Sequence, residues 1–211
     1  MAFARSALVR GLLYSRGAPM SVALSHGVPV SSLRPRDDGV LSHVHSLRDG
    51  TVLRLRPLVP ADAEELRAGF ARLSPESRYL RFFSPVPRLP DAMVRRLTAT
   101  DGRNHVAIVA ETIPLYDEPP EPLGVARFIR LPDRPQAAEV AVTVIDEMQG
   151  RGLGALLLEA LATLARKQDL TTFVASVLAE NGPMNGLIRR LGRVASVRNE
   201  QGVLVYDVAL R

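Results

Sequence analysis

One segment limits this chain more than any other: Val144-Ile145-Asp146-Glu147-Met148-Gln149-Gly150-Arg151-Gly152-Leu153-Gly154. It joins a β-branched run, Ala137–Ile145, to a helical pattern over 152–168 in which Leu153, Leu156, Leu157, Ala160, Leu161 and Leu164 share one face. Gly150, Gly152 and Gly154 carry no Cβ, so a ligand can approach the backbone closely. The first N–H groups of a helix are unpaired and carry partial positive charge. A strand-to-helix turn of this kind is a ready site for a diphosphate, and Arg151 adds formal charge beside it.

Three phosphate-binding patterns compete for this turn. A nucleotide P-loop needs Gly-Lys followed by Ser or Thr, and none occurs. A dinucleotide fold needs a third glycine five positions after the first, where this chain has Ala155. A coenzyme A pyrophosphate site fits the run Gln149 to Gly154, with the amides of Gly150, Arg151, Gly152, Leu153, Gly154 and Ala155 as donors.

The rest of the chain reads as one domain. Strands are predicted at Val52–Pro57, His105–Thr112, Leu123–Leu131, Ala137–Ile145 and Thr171–Leu178, with a closing hairpin of Val194–Arg198 and Val203–Leu210. Helices are predicted from Pro60 with Asp62 as N-cap, from Ser74 to Phe83, around Met93 to Leu97, over 152–168, and from Pro183 to Gly192. The stretch Pro114 to Pro122 has four prolines and reads as a loop. The order β-α-α-α-β-β-β-α-β-α-β-β predicts an α/β (α+β) fold, a mixed sheet with helices on both faces.

Composition narrows the function. With no cysteine among 211 residues, disulfides, Cys-ligated metals and an acyl-cysteine intermediate are excluded. Residues 1–36 hold Arg5, Arg10, Arg16, Arg34 and Arg36 and no acid, so the rest carries 22 basic against 22 acidic residues. The net charge of +5 belongs to the tail, which argues against a nucleic-acid-binding body. Residues 1–46 read as a disordered basic leader, with Met1 to Arg16 also resembling a transit peptide, and the domain is placed at 47–211. No apolar run is long enough for a transmembrane helix, and no metal-ligand spacing is present.

Gln149-Gly150-Arg151-Gly152-Leu153-Gly154, followed by Ala179-Glu180-Asn181-Gly182-Pro183-Met184-Asn185 after the next strand, resembles the GCN5-related N-acetyltransferase (GNAT) family over about 51–210. The resemblance implies a mostly antiparallel twisted sheet and acetyl-CoA as co-substrate. It also implies cofactor contacts at Val142 and Val144, at the glycine loop, at Asn181 and more weakly at Asn185. Leu73 to Phe83, with Ala138-Glu139-Val140-Ala141, is similar to the acetyltransferase domain of bacterial protein-lysine acetyltransferases, which implies a cytoplasmic enzyme with a protein lysine as acceptor.

An amine must lose a proton before it attacks a thioester, because a lysine has a pKa near 10.4. Glu139 is the candidate base. If Val140, Val142 and Val144 face the core, Glu139, Ala141 and Thr143 face the other way. Arg78, Tyr79, Arg81, Phe82 and Phe83 fall in the segment that the resemblance places on the acceptor side, with Arg78, Tyr79 and Phe82 as candidate acceptor contacts, although a core-packed aromatic pair is the preferred reading of Phe82 and Phe83. No tyrosine stands between Asn181 and Gly192 to reprotonate a leaving thiolate. A small-amine acceptor, or a non-catalytic acyl-CoA sensor, would use the same loop.

Overall fold

The computed structural model describes residues 41, 44–114 and 118–210. The strands are β1 (Val44–Ser46), β2 (Val52–Pro57), β3 (His105–Thr112), β4 (Pro122–Leu131), β5 (Arg134–Val144), β6 (Thr172–Leu178), β7 (Arg193–Glu200) and β8 (Val203–Ala209). The helices are α1 (Ala63–Ala71), α2 (Pro75–Phe82), α3 (Asp91–Thr98), α4 (Leu153–Arg166) and α5 (Gly182–Leu191). One sheet holds all eight strands in the order β1-β2-β3-β4-β5-β6-β8-β7. Every pairing is antiparallel except β5 with β6.

Alternation on the strands divides the core. Leu53, Leu55, Ile108, Phe128 and Val140 pack on one face against Leu153, Leu157, Leu158 and Leu161 of α4. These four leucines are at most 1 % exposed, and at roughly 1.5–3 kcal/mol each they fix α4 to the sheet. The opposite face carries α1–α3, whose cluster includes Phe70, Leu73, Phe82, Val94 and Leu97. The predicted mixed sheet with helices on both faces is thus the observed architecture.

Several local expectations differ. Residues 44–46 form a strand that pairs with β2, inside the stretch read as leader, because β2 has a free edge there. Residues 1–40, 42 and 43 of that leader call, and Asp117 of the proline-rich loop, lie outside the described residues. Asp62 does not cap α1 with its side chain; it accepts from Val59 N at 2.7 Å and from Arg56 Nη1 at 2.8 Å, closing a 3-10 turn over Pro60–Asp62. Gly192 is extended rather than a left-handed helix end, and glycine is needed because a Cβ would lie 2.4 Å from the Ala209 carbonyl oxygen.

Candidate active site

The parallel pair β5–β6 is short. It holds register only at Ala137↔Thr172, Ala138↔Phe173 and Glu139↔Val174, although β5 runs on to Val144 and β6 to Leu178. Past Glu139 the strands separate, and a cleft of about 840 Å³ opens between them. That volume lies within the range of small-molecule sites.

The direction of the β5 main chain follows from two hydrogen bonds. Gln136 O accepts from Thr171 N on the β6 side, whereas Ile145 N donates to Leu123 O on the β4 side. Main-chain polar groups alternate sides along a strand. Even-numbered residues therefore point theirs toward β6, and Val142 and the N–H of Val144 lie beyond the last paired rung. Val144 O is already taken by Gln149 Nε2 at 3.1 Å.

At one end of the cleft stands the glycine turn. Gly150 and Gly152 have φ of +74° and +93°, where any other residue is strained, and a Cβ on either would meet no atom within 4 Å. Gly154 serves another purpose: its missing Cβ lets Leu187 of α5 approach α4, with 3.3 Å to Leu187 Cδ2. The first intrahelical bond of α4 runs from Leu156 N to Gly152 O, so the N–H groups of Leu153, Gly154 and Ala155 precede the ladder. Open glycine positions beside unpaired helix N–H groups fit a diphosphate.

At the other end stands Glu139, 4 % exposed and lining the cleft. Five strand positions to Val144 span about 17 Å. Arg81 reaches the same wall, with Nε donating to Thr143 Oγ1 at 3.1 Å and the guanidinium 5.0 Å from the centre of the Phe82 ring. Burial pulls Arg81 down to about 10, against the opposing pull of the Glu139 carboxylate.

The structure brings Glu139, Val142, Val144, Gln149, Gly150, Gly152, Gly154, Ala155, Asn181 and Tyr79 to one cleft. Gln149 also holds the loop together, because Nε2 donates to Ser77 Oγ, Val144 O and Asp146 Oδ1 at 3.1–3.2 Å. Asn181 Oδ1 caps α5 by accepting from Met184 N at 3.1 Å.

Other predicted side chains are placed elsewhere. Arg151 turns out of the cleft to Asp49 and Thr51, tying the glycine turn to the β1–β2 turn. Leu153 is fully buried in the core, so it can offer a ligand only its backbone. Asn185 is 8 % exposed and spent: Nδ2 donates to Leu178 O and Ala179 O, and Oδ1 accepts from Tyr206 OH at 2.9 Å. Arg78 lies over Phe70, 4.6 Å from the ring centre, and bonds Pro87 O and Ala71 O. Phe82 meets Phe70 edge-on at 5.9 Å inside the helical cluster, and Phe83 lines the cleft instead. A left-handed Phe83, φ 56°, ends α2 and turns its ring to that side.

Sequence reading placed Arg81 in the acceptor segment but gave Asp146 no role. Asp146 Oδ2 accepts from Ser74 N at 3.2 Å, anchoring the start of α2 to the turn after β5.

Comparison with known proteins gives matches of one kind. The family model described as an acetyltransferase (GNAT) domain matches residues 53–194. The acetyltransferase Pat of Mycolicibacterium smegmatis is 35 % identical over 162 residues, 77 % of this chain and 47 % of that protein. This chain thus spans about half of that relative's length. The acetyltransferase PA5475 of Pseudomonas aeruginosa is 33 % identical, covering 72 % of this chain and 80 % of that one. Among solved structures, the GNAT domain of S. lividans PAT superposes with a TM-score of 0.72 at 34 % identity, covering 80 % of this chain and 96 % of that one.

Proposed function

The chain belongs to the GNAT acetyltransferase family, and from that premise we propose that it acetylates protein lysine side chains, with acetyl-CoA as donor and Glu139 as general base. The observation that carries this reading is the splay of β5 from β6 past Glu139, with an anion-ready turn at one end of the gap and a buried carboxylate at the other. The donor supplies an activated acyl carbon on a long arm that ends in a diphosphate.

The residues divide the work. The positive-φ turn at Gly150 and Gly152 and the leading N–H groups of α4 receive the diphosphate. Glu139 Oε accepts the proton that the lysine ammonium must lose, leaving a lone pair on nitrogen. The N–H groups of Val142 and Val144 are fixed donors for the negative charge that grows on a carbonyl oxygen under attack. Asn181 keeps its amide nitrogen available beside the arm while its oxygen caps α5. Tyr206 is fully buried with its hydroxyl on Asn185, so the departing thiolate takes its proton from water; a thiol with a pKa near 8.5 leaves without an acid.

The acceptor class rests on the likeness to Pat and on charge. Glu76, Asp146 and Glu180 line the same cleft as Glu139, against Arg81 and Arg190, and this acidic balance suits a cationic side chain presented on a protein surface. The test is incubation with acetyl-CoA and two acceptor panels, folded proteins and free amines, read by mass spectrometry. Acetyl-lysine on proteins supports the reading. Turnover confined to free amines replaces the acceptor, and CoA binding without turnover on either panel removes the enzymatic reading.

A further inference from the structure

A second hollow, of about 60 Å³, lies between the sheet and helices α1–α3 and shares the wall at Arg81 with the cleft. Its lining is mostly apolar, with Leu66, Phe70, Leu97 and Val125 among the contributors. Beneath it stands Arg127 of β4, opposite Ala141 and only 3 % exposed. Arg127 Nη1 donates to Leu97 O at 2.5 Å and stands 3.2 Å from His105 Nε2. Burial and the Arg127 charge push His105 down to about 4, so the ring is neutral at pH 7 and offers no charge.

No acid lies within salt-bridge distance of Arg127 among the described residues. The acids nearby are already used or peripheral. Glu111 is held by Arg54 and Arg56, Asp62 by Arg56, Glu65 is exposed at the rim, and Glu139 lies on the cleft side of Arg81, where its carboxylate acts on that guanidinium. Arg127 Nε and Nη2 have no hydrogen-bond partner among the described residues, and Arg127 lines the hollow. Burial pulls this guanidinium down to about 9, with the charge of Arg81 adding to the effect. A buried cation left with neutral acceptors is costly, and an anion relieves that cost through charge-assisted hydrogen bonds.

We propose that this hollow binds a small carboxylate with a short apolar tail, its oxygens on Arg127 and Arg81 and its carbons against Leu66, Phe70 and Leu97. The space admits roughly four to six water-sized units, which matches an ion such as butyrate.

Sodium butyrate is the probe, titrated by calorimetry at constant ionic strength with sodium chloride and n-butanol as references. Saturable one-site binding is expected for butyrate alone. Arg127→Met, and separately Leu66→Trp, which fills the hollow and keeps the guanidinium, should each weaken it at least about tenfold. Heats that do not saturate up to about 50 mM butyrate overturn the proposal. So does undiminished binding in a folded Leu66→Trp protein, whether or not Arg127→Met folds.

Discussion

Replacing Gly152 by alanine separates the anion-binding role of the glycine turn from its conformational one. Gly152 sits at φ +93°, and a Cβ there would meet no atom within 4 Å, so the penalty is one of backbone alone. An L-residue held in this region costs about 1–2 kcal/mol. Alanine also stiffens the unfolded chain, returning about 0.4–1 kcal/mol. The net loss is about 1 kcal/mol, or about 2–4 °C in Tm for a chain of this size. Gly202 is a matched reference: φ is +88°, its Cβ position is equally open, and it sits at the β7–β8 turn outside the cleft lining. The two variants should melt alike. Only Gly152→Ala places a methyl group and a displaced N–H where the diphosphate is held, so its CoA affinity should fall at least about tenfold, about 1.4 kcal/mol. Thermal unfolding and CoA calorimetry on both proteins read these outcomes. Equal CoA affinity in the two variants would refute the assignment of the turn.

Glu139→Gln should lower kcat by about 10²–10⁴ in steady-state assays while the CoA dissociation constant stays within about twofold; unchanged turnover removes Glu139 as base. The Asp49 carboxyl is held down to about 2, first by the Thr51 N–H and hydroxyl and then by Arg151. Because the folded value lies below the ordinary 3.8, this contact stabilises the fold above pH 3.8, and its contribution is lost as pH falls through 2. In Arg151→Ala the carboxyl should titrate closer to 3.8 by carbon NMR, and an unmoved titration would show that Thr51 alone sets it. Tyr206→Phe strips the only donor that Asn185 Oδ1 has among the described residues, in a buried site, so denaturant unfolding should show a loss of about 1–3 kcal/mol. Its kcat should hold within about twofold, and a collapse in kcat with intact stability would place that hydroxyl in the chemistry.

Much of the fold was legible because local patterns carry it. The leucine spacing of α4, the Ser74-Pro75 start of α2 and the turn residues between β7 and β8 each state their element within a few positions. What escaped depends on contacts distant in sequence. Arg151 looked like an anion donor because charge beside a glycine turn suits one, but Asp49, 102 positions away, captures it. Asn185 looked like a cofactor contact, yet Tyr206 and two carbonyls use its amide completely. Phe82 and Phe83 are adjacent, and only the left-handed end of α2 decides which ring joins Phe70 and which reaches the cleft.

The site itself reduces to the register of one strand. On β5, odd positions send side chains toward α1–α3, which brings Glu139 and Thr143 to the wall shared with Arg81. The same register sends the main-chain N–H groups of Val142 and Val144 toward the gap left by β6. A slip of one residue would exchange both sets together, burying Glu139 against α4 and turning those donors onto β4. The proposed base and the proposed donors are therefore not independent acquisitions. The alternation of Glu139-Val140-Ala141-Val142-Thr143-Val144 sets the face of each side chain, and that much can be read in advance. Where the parallel pairing ends cannot, because the last rung at Glu139↔Val174 joins segments 35 positions apart. The proposed catalytic use of this strand needs those two facts to coincide: a carboxylate at the last paired rung, and amides beyond it with no β6 partner among the described residues.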